Sequence, residues 1–293
     1  MDSKTILIVD DTETNIDILI ELLSDEYDVL VALDAVSALN IVEEEEIDLI
    51  LLDIMMPITD GYEVCKILKA NEDTKDIPVI FITAKTDEDS IEKAYEVGGI
   101  DYVSKPFKAR ELLMRVKTQL RLRRLVQNLE HLASYDAMTN IYNRRKLFEL
   151  GRKKFNDSKD GLCAVMIDID RFKEANDKYG HAVGDEVIKN IVEIIRSNIS
   201  PDALFARLGG DEFVIITHDR SRTHMKNCME LIRHKVEISQ LMTDHKKLIK
   251  SCSISNGIAY YQEGMKNLDE LLKEADLALY EAKDNGRNRV VFR

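Results

Sequence analysis

Residues 207–213 read Arg-Leu-Gly-Gly-Asp-Glu-Phe, two glycines and two carboxylates set between apolar runs at 203–208 and 213–217. This pattern predicts a β-hairpin with a charged tip, because paired glycines admit the positive φ angles of a tight turn. Bare backbone at the tip leaves room for a phosphate or sugar. The oxygens of Asp211 and Glu212 are hard ligands, which a Mg²⁺ carrying nucleotide phosphates requires. A surface hairpin with solvated acids would show the same pattern, so its neighbours have to decide between the two.

A second pair of acids follows an apolar strand at 162–167, in Asp168-Ile169-Asp170. Around it the sequence predicts a helix at 172–178, a turn at 179–185 and a long amphipathic helix at 186–197. Further helices are expected at 222–238 and 268–285, with a strand at 250–261. In such an α/β domain the first strand and the hairpin can lie side by side, bringing Asp168, Asp211 and Glu212 together. His181 falls in the turn, where it serves either as a base or as a structural imidazole.

The first part of the chain holds another set of chemical residues. Apolar runs at 5–9, 29–32, 49–52, 79–82 and 102–103 alternate with amphipathic stretches such as 13–23 and 62–70. Continuous rather than alternating hydrophobicity marks strands covered on both faces, so five βα units and a parallel sheet are expected. Ligands of such sheets bind beyond the carboxyl ends of the strands. Asp10 and Asp11 follow the first run, Asp53 the third, Thr83 the fourth and Lys105 the fifth. Three carboxylates at one edge would repel one another unless a divalent cation joined them, and a lysine and a hydroxyl beside them suit a transferred phosphoryl group.

With 293 residues, 45% of them hydrophobic, the chain is long enough for two cores. The net charge of −13 is unevenly divided: residues 1–120 carry 11 Lys and Arg against 28 Asp and Glu, and the remainder 30 against 26. Two modules are the simplest account, and the acidity of the first argues against nucleic-acid binding there. No window approaches the roughly 18 apolar residues of a membrane span, which predicts a cytoplasmic protein. Cys65, Cys163, Cys228 and Cys252 are scattered without a CxxC pair, as expected of reduced core thiols.

Residues 108–134 contain no Gly or Pro and read as one connecting helix. Leu122, Leu125, Leu129 and Leu132 recur at 3-4-3 spacing, the seam of a short coiled coil. Either the seam pairs two chains or the helix lies against its own domain. Boundaries of 1–120, 108–134 and 135–293 follow for the two domains and the overlapping connector.

Across residues 4–120 the chain resembles the response-regulator receiver family, through Asp10-Asp11, Asp53-Ile54-Met55-Met56-Pro57, Thr83-Ala84 and Lys105-Pro106. The resemblance implies a flavodoxin-like doubly wound fold in which Asp53 accepts phosphate from a histidine kinase. Asp11, Asp53 and the Met55 carbonyl would hold Mg²⁺ with Asp10 in support, and Thr83 and Lys105 would contact the phosphoryl oxygens. Tyr102 occupies the family's aromatic switch position.

Residues 134–293 resemble the GGDEF, or diguanylate cyclase, domain, an α/β fold of the nucleotidyl-cyclase kind. The motifs are the 136–145 signature, Asp168-Ile169-Asp170-Arg171-Phe172-Lys173, Gly180-His181 through Gly184-Asp185, Gly209-Gly210-Asp211-Glu212-Phe213, and Lys283 through Asn288. The resemblance implies synthesis of cyclic di-GMP from two GTP by a homodimer joined through receivers and connecting helices. Asp168, the Ile169 carbonyl, Asp211 and Glu212 would hold Mg²⁺, with Mn²⁺ as a substitute, and Asp211 would assist deprotonation. Asn176 and Asp185 would read guanine, a carboxylate accepting from its N1–H and amine. Lys173, Lys283, Arg287 and the backbone N–H groups around Phe172 would meet phosphate.

Two departures from the family stand out. Met138 and Ile141 replace the usual leucines of the 136–145 signature, a conservative exchange. The upstream Arg-x-x-Asp feedback motif is replaced by Ser200-Pro201-Asp202-Ala203, with Asp202 one residue out of register. The alternative to an enzyme is a catalytically silent module that binds GTP or a partner and reports the receiver's state; the intact hairpin disfavours it.

Overall fold

The computed structural model describes residues 4–84, 88–242, 248–250 and 252–293, so residues 1–3 and 251 of the sequence reading lie outside it. The chain divides into two compact units, Met1–Asn128 and Leu129–Arg293.

In the first unit β1 (Thr5–Val9), α1 (Glu13–Leu23), β2 (Asp28–Ala32), α2 (Ala35–Glu44), β3 (Leu49–Asp53), α3 (Gly61–Ala70), β4 (Val79–Thr83), α4 (Glu88–Glu96) and β5 (Asp101–Ser104) alternate along the chain. The sheet has the order β2-β1-β3-β4-β5 and is parallel throughout. Both faces are covered, as the continuous apolar runs require. Ile6 and Ile8 pack with Leu19, Leu23, Leu112 and Val116, whereas Leu7 and Val9 pack with Ala38, Val64 and Leu68. The strand order reverses between β1 and β3, so a crevice opens beyond their carboxyl ends. Asp10 and Asp53 emerge there.

Helix α5 (Ala109–Ser134) is a single helix that buries Leu112 and Val116 near its start. Farther along, Arg123 donates to the carbonyls of Ile47 and Asp48. Around and beyond that anchor Leu122, Leu125, Val126, Leu129 and Leu132 are all exposed, Leu132 by 66%. Among the described residues no helix is long and apolar enough to cross a membrane.

The second unit contains β6 (Tyr142–Asn143), α6 (Arg144–Asp157), β7 (Leu162–Ile169), α7 (Phe172–Tyr179), α8 (His181–Arg196), β8 (Leu204–Gly209), β9 (Glu212–His218), α9 (Arg222–Ile238), β10 (Gln240–Met242), β11 (Leu248–Lys250), β12 (Ile254–Tyr260), α10 (Leu268–Asp284) and β13 (Val290–Phe292). Its six-stranded sheet runs β13-β12-β7-β9-β8-β6, with β7 antiparallel to both β9 and β12. Alternation along β7 sends Val165 and Ile167 to a core shared with α8 and α9, and Ala164 and Met166 to one shared with α6 and α10. Asp168 has the parity of the second set.

Several sequence expectations change. Strand β7 continues to Ile169, so Asp168 lies inside the ladder rather than beyond it, opposite Glu212 and Ser255. The long helix starts at His181 because Gly180, at φ 85°, alone supplies the turn. His181 is therefore an exposed first-turn residue and Asp185 is helical. Helix α6 has no counterpart in the sequence reading, since it buries only Leu147, Gly151 and Phe155, too sparse a stripe to stand out. The strand expected at 250–261 begins at Ile254. Residues 201 and 202 form a turn, with Ala203 N–H donating to the Ser200 carbonyl at 3.0 Å. Asp202 lies in this turn and is exposed.

Candidate functional sites

In the first unit, Asp10, Asp11 and Asp53 offer carboxylate oxygens that lie within 4.8 Å of one another, and no other described residues gather three such groups as closely. Asp10 and Asp53 are buried, and Asp11 is exposed. Lys105, carried past β5, places Nζ 2.8 Å from Asp10 Oδ2 and 2.8 Å from Asp53 Oδ2. Burial opposes its charge, but the two carboxylates prevail and hold its pKa above the ordinary lysine value. Asn15 Nδ2 donates to both Asp10 oxygens, and Thr12 N–H donates to Asp10 Oδ1 at 3.0 Å. Three carboxylates against one ammonium make an all-oxygen donor set with negative charge to spare, which fits a hard divalent cation.

The remaining receiver-type residues fall around this cluster. Thr83 ends β4 and is buried. Met55 is exposed, and its N–H donates to Asp53 Oδ1 at 3.3 Å. Tyr102 is half-buried on β5, edge-on to Tyr95 at 6.4 Å, with the Arg115 guanidinium 6.0 Å from its ring centroid.

In the second unit the hairpin forms as expected, one residue displaced at its ends. Gly209 and Gly210 have φ of 152° and 54°, and a Cβ built on either meets nothing within 4 Å. The backbone conformation, not crowding, asks for glycine at Gly210. Asp168 and Glu212 face each other across β7 and β9, and Ile169 N–H donates to the Asp211 carbonyl at 3.3 Å. Lys283, from the last turn of α10, sets Nζ 2.7 Å from Asp168 Oδ2. Burial pushes the Asp168 carboxyl up to about 6, and Asp211 and Glu212 push the same way against Lys283. Their oxygens do not gather as closely as those of the first site. A buried carboxylate disfavoured by two like neighbours is nonetheless a donor set that a divalent cation would relieve.

The other predicted residues are distributed over α7, α8 and the turn after α10. Lys173 is exposed, whereas Phe172 packs on the core of the α8 face. Asn176 Oδ1 is buried without a hydrogen-bond partner, and a Cβ on Gly184 would stand 1.8 Å from it. Asp185 is half-buried on α8, one residue beyond Gly184. Arg287 is exposed and holds a left-handed φ of 63°.

Sequence reasoning passed over two supporting groups. Asp170, read only as part of a carboxylate motif, is buried and turned to β12, accepting from Ser253 Oγ and Ser255 Oγ at 2.6 Å each. It also accepts from Asn288 N–H at 3.0 Å. Arg207, read only as a flank of the hairpin, donates from Nε and Nη2 to the Gly210 carbonyl at 2.9 and 2.7 Å, and from Nη1 to Asp136. Neither an acid two residues from Asp168 nor an arginine 71 positions from Asp136 carries a local pattern that signals these roles.

A parallel sheet with an acidic crevice and a lysine, followed by a helix and a nucleotidyl-cyclase-like sheet with an acid-tipped glycine hairpin, defines a receiver joined to a cyclase-type domain. Residues 6–117 match the response regulator receiver domain, and residues 133–289 match the family described as diguanylate cyclase, GGDEF domain. The chain belongs to the GGDEF diguanylate cyclase family. It is 33% identical over 296 residues to the response regulator PleD of Caulobacter vibrioides, covering 98% of this chain but 65% of PleD. It is also 42% identical over 173 residues to the probable diguanylate cyclase DgcT of Escherichia coli, covering 58% of this chain and 37% of DgcT. The coiled coil and GGDEF domain of DgcB from Caulobacter crescentus, solved with c-di-GMP, superposes with a TM-score of 0.58 at 28% identity, over 63% of this chain and 98% of that one.

Proposed function

We propose that this chain is a response regulator in which phosphorylation of Asp53 by a histidine kinase controls synthesis of cyclic di-GMP from two GTP. Residues 1–120 form the control module, 108–134 the connector and 135–293 the synthase. The observation that carries the reading is the placement of Asp168 opposite Glu212 at an open glycine tip, with Lys283 on Asp168.

Asp168, the Ile169 carbonyl, Asp211 and Glu212 would hold Mg²⁺, or Mn²⁺ in its place. Bound there, the cation offsets phosphate charge and polarises the α-phosphate. Lys173, Lys283 and Arg287 neutralise the phosphates, and the N–H groups at the start of α7, by Phe172, add backbone donors. Asn176 and Asp185 present acceptors to the N1–H and amine of guanine, where adenine would offer a lone pair. Asp211 takes the proton from a 3′-hydroxyl as its oxygen bonds the α-phosphorus of the partner's GTP. The bond from that phosphorus to the bridging oxygen breaks, and pyrophosphate leaves. The same step in the opposite sense closes the ring.

Each synthase domain has one such site, so two chains have to face each other. The exposed leucines of α5 support pairing along that helix. In the receiver, Asp11, Asp53 and the Met55 carbonyl would hold Mg²⁺ with Asp10 behind them, while Thr83 and Lys105 take the phosphoryl oxygens and Tyr102 reports their occupancy. The test is incubation with GTP and Mg²⁺, with and without beryllofluoride, followed by nucleotide chromatography. A cyclic dinucleotide is expected; bound but unconverted GTP would favour the silent module.

A further inference from the structure

The turn that follows α10 is held from two sides by residues with no assigned part in the reaction. Gly286, Arg287 and Asn288 have φ of 108°, 63° and 47°, three consecutive left-handed residues of which two carry side chains. Such a run persists only where its surroundings over-determine it. Beneath the turn, Asn288 N–H donates to Asp170 Oδ2 at 3.0 Å. Beside it, Asn288 Nδ2 donates to Glu237 Oε1 at 2.9 Å, and Arg233 Nη1 donates to Asn288 Oδ1 at 2.8 Å. Both partners lie on α9. Arg233 is itself fixed, donating from Nε to Glu230 at 2.8 Å and from Nη1 to Glu237 at 3.0 Å, with its side chain only 18% exposed. An amide that accepts from a fixed guanidinium and donates to a fixed carboxylate has one orientation.

We propose that Asn288 is a positioning residue for nucleotide binding, and that Arg233 and Glu237 of α9 clamp its amide so that the left-handed turn aims Arg287 at the phosphates of GTP. This rests on the reading of residues 168–287 as a GTP site and adds α9 to its machinery. Asp170, on the strand end that also carries Asp168, gives the clamp a common reference with the metal-binding carboxylates. The turn and those acids are thereby kept in one frame, and small displacements of charged groups around a phosphate are costly.

The test uses the full chain. Asn288→Gly keeps the left-handed backbone accessible and removes only the amide. Arg233→Met removes the fork, and Arg233→Lys keeps its charge without the fork. For Asn288→Gly and Arg233→Met, the KM for GTP and the Kd for the unreactive analogue α,β-methylene-GTP are expected to rise together by about tenfold, with Arg233→Lys between them and wild type. Values within about twofold of wild type, in variants shown by circular dichroism to be folded, would overturn the proposal. So would a lowered Tm with unchanged constants, which would make the clamp purely structural. If Arg233→Met fails to fold, Asn288→Gly decides alone. A wild type that binds the analogue but makes no cyclic dinucleotide would end the assigned activity, and the analogue's Kd would still judge the clamp.

Discussion

Asp136 and Arg207, 71 positions apart, form an ion pair of 3.1 Å in which the same guanidinium also grips the Gly210 carbonyl at the tip of the glycine hairpin. Asp136 opens the turn that follows α5, where its Oδ1 also accepts from Thr139 N–H and Oγ1. The end of the connecting helix and the tip of the hairpin are thus joined by one side chain, which is only 9% exposed.

Replacing Arg207 by Met is expected to lower stability by about 1–3 kcal/mol, since it leaves a half-buried carboxylate short of a charged donor. Burial works to raise the Asp136 pKa, but the Thr139 and Arg207 contacts outweigh it and hold the group below the ordinary aspartate value. A depressed carboxyl contributes stability that is present above its unfolded pKa and lost as pH falls through the folded one. The gap in Tm between wild type and Arg207→Met should therefore be widest near neutrality and narrow in acid below the ordinary aspartate range. A gap that widens on acidification would contradict this.

Glu212→Gln keeps the shape of the hairpin and deletes one of the charges facing Asp168. Synthesis is expected to fall by about 100-fold or more, with an unchanged circular dichroism spectrum. Turnover at the wild-type rate, read by nucleotide chromatography, would remove Glu212 from the site.

Gly184→Ala probes the junction of α7 and α8, where an added Cβ would lie 1.8 Å from Asn176 Oδ1. That oxygen has no partner and little room, so the helices or the amide must shift, at a cost of about 1–3 kcal/mol. Weaker GTP binding by calorimetry is expected, with discrimination against ATP reduced. Unaltered affinity and selectivity would show that Asn176 does not read the base.

Asp53→Ala removes the proposed phosphoacceptor and one of the two carboxylates that Lys105 bridges. Sedimentation should show wild type associating more strongly with beryllofluoride and Asp53→Ala unaffected by it. Leu129→Glu with Leu132→Glu, both on the exposed seam of α5, should weaken association in either state and reduce synthesis with it. Full association of that double variant would place the dimer contact elsewhere.

The sequence by itself determined the five strands of the first sheet, β7, β8, β9 and β12 of the second, the charged hairpin and the carboxylate-bearing strand ends, because continuous apolar runs, paired glycines and strand-end acids are local patterns with local physical causes. Asp10, Asp53 and Lys105 were legible as one site, since successive βα units deliver their carboxyl ends to the same edge. What happens across the second sheet was not legible. There the order β13-β12-β7-β9-β8-β6 brings together residues far apart in the chain, and no periodicity encodes which side chain meets which. Thus Asp170, two residues from Asp168 and of the same type, anchors the Asn288 turn, while Asp168 faces Glu212 and Lys283. Arg207 reads as a hairpin flank until the fold carries Asp136 to it. Only packing distinguishes the carboxylate that faces the hairpin from the one that holds the Asn288 turn, because the two differ in partners and not in kind.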